Sequence, residues 1–403
     1  MFLQQATSVK IDNLDIHTIY KGEQQVWPAT TTATVEPDVL KTPFWIMNID
    51  TADFEYSIWY VNDPPNYNNS LWYSDDMTNW TLVTPYQMVT LAPGAKRWFI
   101  GYLPSYTNAF LRNATGGVQN NGKIQLGGNY KSMTMNTIEE WNEIVNQRPF
   151  ELLQSSNEYI MASKFTNTKC IHYAHTMYVP YTFYIVQRIH GGFQGCTNLK
   201  TGPIFTNPAQ NEQYRNWKLP WLEKCFYGCT SLTDVHLADY NMYGYTFQQN
   251  LWNQMFEGCT SLRKPPQILQ PLTEKYPYNV EYLIYKPFDR IFRNCTNLEE
   301  TLDLVFSDTF YLDPVNQMPL MYENCTSLTT ATFRNVGSIV ENPVFNMYNG
   351  CTGIRELHFE IKHDINFGAG SFQRMSPDVT LYKPVGYTYT GYPSTWTVVE
   401  VDM

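Results

Sequence analysis

The feature that most constrains this fold is a motif, aromatic-x-Gly/Asn-Cys-Thr-x-Leu/Ile, which occurs six times between residues 193 and 354. Successive copies are 33, 30, 36, 30 and 26 residues apart. Repeats of roughly 20 to 50 residues indicate a solenoid, because one unit buries its apolar face only against its neighbours. The repeated positions are Cys196, Cys229, Cys259, Cys295, Cys325 and Cys351, followed by Leu199, Leu232, Leu262, Leu298, Leu328 and Ile354.

Each motif position has a predicted role. The aromatic residue ends a short turn or helical segment, and Gly or Asn then supplies a left-handed conformation. Cysteine is small and apolar enough to stack on the next coil, and the Thr hydroxyl satisfies backbone groups of the turn. The Leu opens a short strand, as in residues 232–237 and 328–333, where alternation places every second side chain on one buried face.

This pattern resembles the BspA-like, or Treponema-type, leucine-rich repeat, whose consensus is Met-Phe-x-Gly-Cys-Thr-Ser-Leu. The resemblance covers nearly half of the chain and is strong in residues 219–232. It implies a structural and binding surface rather than an enzyme. The proline-containing strand of the family is kept only loosely, in Lys264-Pro-Pro-Gln-Ile268, and the Tyr-rich insertions 238–249 and 270–287 are candidates for a specific surface.

The sequence predicts a mainly β chain with short helices. Residues 1–34 form an N-terminal segment, 35–130 a small β-sandwich, 131–375 the solenoid and 376–403 C-terminal cap strands. Residues 73–80 and 89–94 resemble the β-modules that precede such repeats in surface and phage proteins of gut bacteria. One helix is predicted to begin at Asn136 as N-cap, with Glu139 at the third position of a capping box.

The first 30 residues predict a β-hairpin, with a Gly-containing turn and a proline stop. Its pattern, Tyr-x-Gly-x-x-x-Val-Trp-Pro, is similar to short segments of phage virion proteins. The resemblance makes Tyr20, Gly22, Val26, Trp27 and Pro28 the candidate residues for attachment to a virion.

Composition and charge exclude some functions. A net charge of −10 argues against nucleic acid as a partner, because affinity for phosphate backbones comes from Lys and Arg. The sequence shows no secretory signal pattern and no apolar run long enough to span a membrane, so we expect synthesis in a host cytoplasm and localisation to a virion. We expect the eight cysteines to be reduced core residues, and a zinc site at Cys225 and Cys229 lacks a second ligand pair.

We expect no catalytic, cofactor or metal site. His172 and His175 would share a helical face but lack a third ligand nearby, and no nucleophile, zincin or phosphate-loop motif occurs. The adjacent carboxylates Asp75-Asp76 and Glu139-Glu140 are typical of turns and helix starts rather than of a glycosidase pair. The oxygens of residues 75–79 leave a calcium site open, although the EF-hand order is absent.

Three functions remain from the sequence. The first is a phage virion protein of fibre or decoration type, which forms a homo-oligomer, with a trimer favoured, and contacts other virion proteins and a host protein or glycan. The second is a bacterial surface adhesin with the same repeats. The third is an accessory module of a carbohydrate-active enzyme, in which Trp59, Trp72 and Trp80 stack on sugars instead of filling a sandwich core.

Overall fold

The computed structural model describes residues 40–58, 71–102, 110–148, 152, 161–180, 189–206, 222–238, 252–266, 288–302, 320–334, 346–362, 364–367 and 371–402. It also gives the backbone of short strands in residues 9–27, 217–218, 245–246, 311–312 and 338–339. The described part is mainly β, as the sequence predicts.

The strands before the solenoid are short. They are β1 Val9–Ile11, β2 Leu14–Ile16, β3 Ile19–Lys21, β4 Gln24–Trp27, β5 Trp45–Asn48, β6 Phe54–Ile58, β7 Leu71–Ser74, β8 Thr81–Leu82, β9 Met88–Leu91, β10 Lys96–Gly101, β11 Leu111–Arg112 and β12 Ile124–Asn129. A 3-10 helix (Tyr130–Met133) and the helix α1 (Ile138–Gln147) follow.

The remaining strands belong to the coils and their C-terminal extension. They are β13 Ile171–Pro180, β14 Thr201–Thr206, β15 Trp217–Lys218, β16 Asp234–Ala238, β17 Tyr245–Thr246, β18 Tyr311–Leu312, β19 Thr330–Arg334, β20 Ser338–Ile339, β21 Glu356–Glu360, β22 Ile365–Asn366, β23 Thr380–Pro384, β24 Tyr389–Thr390 and β25 Thr397–Val401.

One eight-stranded sheet connects the sandwich to the solenoid, in the order β16-β14-β13-β12-β5-β10-β7-β8. Strand β12 pairs antiparallel with β5 and parallel with β13, so the sheet changes from the antiparallel pairing of a sandwich to the parallel pairing of stacked coils at this strand. The sheet therefore runs across the domain boundary that the sequence places at residue 130.

The second sheet of the sandwich has the order β11-β6-β9. Its inward residues Phe54, Tyr56 and Leu111 share one buried core with Phe44 and Phe99 of the larger sheet. The same core continues without interruption through the coils to Trp396. Its aromatic contacts cross from the sandwich to the coils, since the ring of Phe44 lies 6.1 Å from that of Phe165.

The C-terminal strands continue the solenoid. Strands β19, β21, β23 and β25 form a parallel four-stranded sheet in chain order, and β22 pairs in parallel with β24. Residues 380–401 therefore extend the stack by the same parallel hydrogen bonding that joins the coils.

Two local predictions need correction. The N-terminal segment contains two successive antiparallel pairs, β1 with β2 and β3 with β4, rather than a single hairpin. The N-cap of α1 is Thr137, whose hydroxyl accepts a hydrogen bond from the N–H of Glu140, whereas the sequence suggested Asn136 and Glu139. The shift by one residue lets the Glu140 carboxylate accept the N–H of Asn136 at 2.7 Å.

Candidate functional site

The turns of the coils form a continuous column of aromatic rings. Neighbouring centroids are 5.2 to 5.9 Å apart and the planes are within 16° of parallel. Because each ring lies on the equivalent ring of the next coil, the coils are held in one register. The aromatic column consists of Phe165, Phe193, Phe226, Phe256, Phe292, Tyr322 and Tyr348.

The aromatic column begins one coil earlier than the sequence motif. Phe165 stacks on Phe193, and its N–H donates to the carbonyl of Gly192, as the N–H of Phe193 donates to Cys225. This coil escapes the motif because Thr168 occupies the cysteine position. The sequence signal that would have revealed it is Phe165-Thr166-Asn167, which matches the aromatic-x-Asn start of the motif, and Asn167 has the left-handed conformation.

The Gly or Asn of each motif has the left-handed conformation that the sequence predicts, with φ between 62° and 77°. At Gly195 close stacking adds a second reason for glycine, because a Cβ there would lie 2.1 Å from Oδ1 of Asn167. A second left-handed residue precedes each of the seven aromatic residues of the column by two positions, a feature that the sequence pattern did not reveal. These residues are Ser163, Gly191, Lys224, Gln254, Arg290, Leu320 and Asn346.

The six motif cysteines form a second buried column, next to the aromatic one. Each thiol is fully buried and donates to the carbonyl oxygen of the aromatic residue one coil earlier, with Sγ–O distances of 2.9 to 3.1 Å. Cysteine thus supplies a small apolar side chain that still satisfies a buried acceptor. All eight cysteines are free thiols in the described structure, as the sequence predicts.

Burial raises the pKa of the motif thiols. It raises the pKa of the Cys196 and Cys351 thiols to about 12, and the pKa values of the other motif thiols are raised as well. The dominant cause is the loss of water around a charge that the thiolate would carry. The folded protein therefore keeps these cysteines as neutral thiols at neutral pH, whereas the thiolate is the reactive form.

The motif Leu or Ile is buried in every coil, as predicted, but it lies in the turn rather than in the strand. The strands begin two residues later, at Asp234, Thr330 and Glu356. The next buried residue follows the Leu by three positions, as Val235 follows Leu232, so the expected alternation from the Leu onward is wrong. The turn N–H of Leu232 donates to the carbonyl of Cys229, which delays the start of the strand.

The outward residues of the parallel strands align in rows across the coils. Thr330, Glu356, Thr380 and Thr397 form one row, and Thr332, His358, Tyr382 and Val399 form the next. Most of these side chains are half-buried, whereas the alternate residues face the core. We call these rows, with the corresponding residues of β13, β14 and β16, the strand face.

Each half of the strand face carries an acidic residue and a histidine two positions apart. Nε2 of His236 lies 3.3 Å from Oδ2 of Asp234, and Nε2 of His358 lies 3.5 Å from Oε2 of Glu356. The His358 ring also stacks on Tyr382, with centroids 4.3 Å apart and planes 7° from parallel. The strand face thus offers hydroxyls, imidazoles and an aromatic plate with little net charge.

The ladder of the strand face is interrupted at two middle coils. Residues 262–266 and 298–302 form no strand in the described structure, while their aromatic rings remain stacked. Pro265 and Pro266 lack the N–H that a ladder requires. One backbone hydrogen bond, from the N–H of Glu299 to the carbonyl of Arg263, remains between these two segments. Two ion pairs also join them, at 2.9 Å between Arg263 and Glu299 and 2.7 Å between Lys264 and Glu300.

The histidine pair singled out in the sequence lies on strand β13 rather than on a helix. His175 is exposed, and its Nδ1 lies 3.3 Å from Oγ1 of Thr201. His172 is half-buried. Burial lowers its pKa most, and the positive charges of Lys200 and Lys123 lower it further. Within the described residues no group of three or more His, Cys, Asp or Glu side chains is arranged to hold a metal ion.

The adjacent carboxylates have structural partners. Asp75 forms a bidentate ion pair with Arg97, at 2.6 and 2.9 Å. Asp76 accepts the N–H groups of Thr78 and Asn79, and these hydrogen bonds hold its pKa well below the usual range. Both carboxylates therefore stabilise the turn itself, which leaves few free oxygens for a calcium ion.

The other candidate residues are placed as follows. Trp72 and Trp80 are half-buried, and Trp80 packs against a small core that includes Trp141. Trp59 lies outside the described residues. For the attachment residues only the backbone of Tyr20, Val26 and Trp27 is described, in β3 and β4, while Gly22 and Pro28 lie outside the described residues.

Comparison with known proteins adds little beyond this geometry. No family model matches the chain, and no curated protein matches it in sequence. The crystal structure of a leucine-rich repeat protein from Bacteroides ovatus ATCC 8483 is similar at 14% identity and a TM-score of 0.25, over 62% of this chain and 74% of that one. The described residues contain no helix that is long and apolar enough to cross a membrane. The contacts described above define the chain as a mainly β protein with a solenoid of stacked repeats.

Proposed function

We propose that this chain is a non-enzymatic binding protein of the BspA-like repeat type, and that the strand face is its binding surface. The supporting observation is that the two sides of the coils differ in burial. The cysteine, aromatic and leucine or isoleucine side chains of the motif are buried in the core, whereas polar and aromatic side chains of the strand face are aligned and partly exposed. Aligned rows on a rigid stack suit recognition of an extended protein or glycan surface.

Direct binding to cells of the host bacterium tests this proposal. Tyr382→Ala removes the aromatic plate from the strand face and leaves the column of stacked turns intact. Tyr227→Ala is the matched control, because Tyr227 is half-buried on the turn side. We expect Tyr382→Ala to weaken binding by about tenfold and Tyr227→Ala to leave it unchanged. Equal effects of the two substitutions would contradict the assignment of the strand face.

We further propose that the protein is a structural component of a phage particle, of fibre or decoration type, with β3 and β4 attaching it to other virion proteins. The resemblance of residues 20–28 to short segments of phage virion proteins supports this role, and the antiparallel strands β3 and β4 contain most of these residues. Mass spectrometry of purified particles tests it. Particles that lack this chain would contradict the proposal and favour the adhesin, the second candidate.

A homo-oligomer, with a trimer favoured, completes the proposal. The chain carries 30 tyrosines and only 16% charged residues, a composition that suits contacts between subunits. Light scattering on the purified protein distinguishes a trimer from a monomer of 47.0 kDa.

A further inference from the structure

Asparagine followed by glycine occurs twice in the chain, at Asn121-Gly122 and at Asn349-Gly350. In this dipeptide the backbone nitrogen of glycine is able to attack the asparagine side chain, because glycine has no Cβ to hinder the approach. Gly122 and Gly350 share a left-handed conformation, with φ of 79° and 75°. The two dipeptides therefore form a pair in which the surroundings of the asparagine can be compared.

The Asn349 side chain is held at both of its polar atoms. Its Nδ2 donates to Oε1 of Glu323 at 3.4 Å, and its Oδ1 accepts from Nε of Arg374 at 3.3 Å. The N–H of Gly350 donates to the carbonyl of Gln373 at 3.0 Å. Asn349 is also buried, so attack by the Gly350 nitrogen requires the loss of three hydrogen bonds in a place that water reaches poorly.

Asn121 and Gly122 are both exposed, in the loop between β11 and β12. Among the described residues, the hydrogen bond of Asn121 is made by its backbone N–H, which donates to Oε1 of Gln119 at 3.1 Å. The Asn121 side-chain amide is left to water. The side-chain bonds that protect Asn349 therefore have no counterpart at Asn121 in the part of the chain that the structure describes.

We propose that Asn121 is a site of spontaneous deamidation in the folded protein and that Asn349 is protected from it. The Gly122 nitrogen loses its proton to hydroxide and forms a bond to Cγ of Asn121, and the Cγ–Nδ2 bond breaks with release of ammonia. Water then opens the five-membered succinimide at either of its two carbonyl carbons. The product is aspartate, or isoaspartate when the main chain runs through the former side chain.

The modification acts at the junction between the sandwich and the coils, because isoaspartate at position 121 adds one carbon to the main chain just before β12. On one side of it, Oδ1 of Asn120 accepts the N–H of Lys169 at 3.1 Å. On the other side, the N–H of Ile124 donates to the carbonyl of Cys170 at 2.9 Å. Both bonds tie the loop to the start of β13, so the longer main chain disturbs the pairing of β12 with β13.

Incubation of the full-length folded protein at mildly alkaline pH, followed by peptide mapping with mass spectrometry, tests the proposal. Asn121 should deamidate at least about tenfold faster than Asn349, since three hydrogen bonds must break before Asn349 reacts. In the denatured chain both asparagines are exposed, and the two rates should converge. Equal rates in the folded protein would overturn the proposal, and so would an Asn121 that reacts in the denatured chain but stays intact in the folded one.

Two variants test the effect on the junction. Asn121→Ser removes the reactive amide, and freshly prepared Asn121→Asp adds the charge without lengthening the main chain. Incubated wild-type protein should unfold at a lower temperature than fresh protein, whereas incubated Asn121→Ser and fresh Asn121→Asp should unfold like fresh wild type. An equal decline in incubated Asn121→Ser, or an unchanged unfolding temperature in protein that carries isoaspartate at position 121, would overturn the assigned effect. The inference does not rest on the proposed strand-face or virion role.

Discussion

The turn side and the strand side of the same coils are built on different principles. On the turn side, rings and thiols repeat in every motif coil, and each motif thiol donates a hydrogen bond to a carbonyl of the coil before it. On the strand side, hydrogen-bonded ladders exist at both ends of the stack but stop at residues 262–266 and 298–302. The comparison teaches that the turns, through stacked rings and backbone hydrogen bonds such as that from the N–H of Phe256 to the carbonyl of Ile291, keep the coils in register where the sheet is interrupted.

The largest expected difference between the sides appears at alkaline pH. The thiols of the turn side have raised pKa values in the folded protein, so above pH 9 the unfolded chain releases protons that the folded chain retains. Stability should be unaffected by the thiols below pH 9 and should fall as pH rises from 9 towards 12. Each thiol contributes about 1.4 kcal/mol per pH unit within its window.

Denaturant unfolding between pH 8 and pH 10 measures this loss of stability. The range stops at pH 10 because ionisation of the buried tyrosines on unfolding lowers the stability further at higher pH. Cys259→Ala is the control, because it removes one titrating thiol and should make the decline less steep. A stability that does not change between pH 8 and pH 10 would show that the thiols are not buried as a column.

The next effect in size is the loss of one ring from the middle of the aromatic column. Phe256 stacks on Phe226 and Phe292, at 5.5 and 5.9 Å, and is fully buried. Phe256→Ala should lower the free energy of unfolding by about 3 to 5 kcal/mol, because a cavity replaces contacts in two directions. Chemical denaturation measures it, and Phe256→Tyr tests whether the ring itself suffices, since Tyr322 occupies the same position two coils later.

The smallest effect is expected on the interrupted strand side. Arg263 pairs with Glu299 at 2.9 Å, but both side chains are largely exposed. Arg263→Ala should change the free energy of unfolding by less than about 0.5 kcal/mol, since water and salt screen exposed ion pairs. A loss comparable to that of Phe256→Ala would mean that the ion pairs, rather than the stacked turns, join these two coils.

The sequence predicted the turn side well because its constraints are local. A left-handed Gly or Asn, a buried cysteine and a buried leucine at fixed spacing follow from the conformation of one turn, and the structure confirms them. The strand side was predicted less well. The start of each strand was placed two residues early, because the hydrogen bond that keeps Leu232 in the turn has no signature in the alternation of apolar residues.

The candidate sites show the same limit. The sequence placed His172 and His175 on a helix, whereas pairing with β12 and β14 makes that segment a strand. It drew attention to Trp72 and Trp80 as residues that stack on sugars, whereas both are half-buried and Trp80 packs against a small core that includes Trp141. Neither placement follows from residue type, because both depend on what surrounds the side chain.

The sequence by itself determined that this chain repeats one turn many times and that cysteines and leucines fill its interior. Tertiary structure alone decided that the coils begin at Phe165 and that one sheet joins them to the sandwich. It also decided that the thiols donate to the preceding coil. The physical reason is range: turn conformation and burial depend on neighbours in the chain, whereas register between strands and the partner of a buried donor depend on residues about 30 positions away.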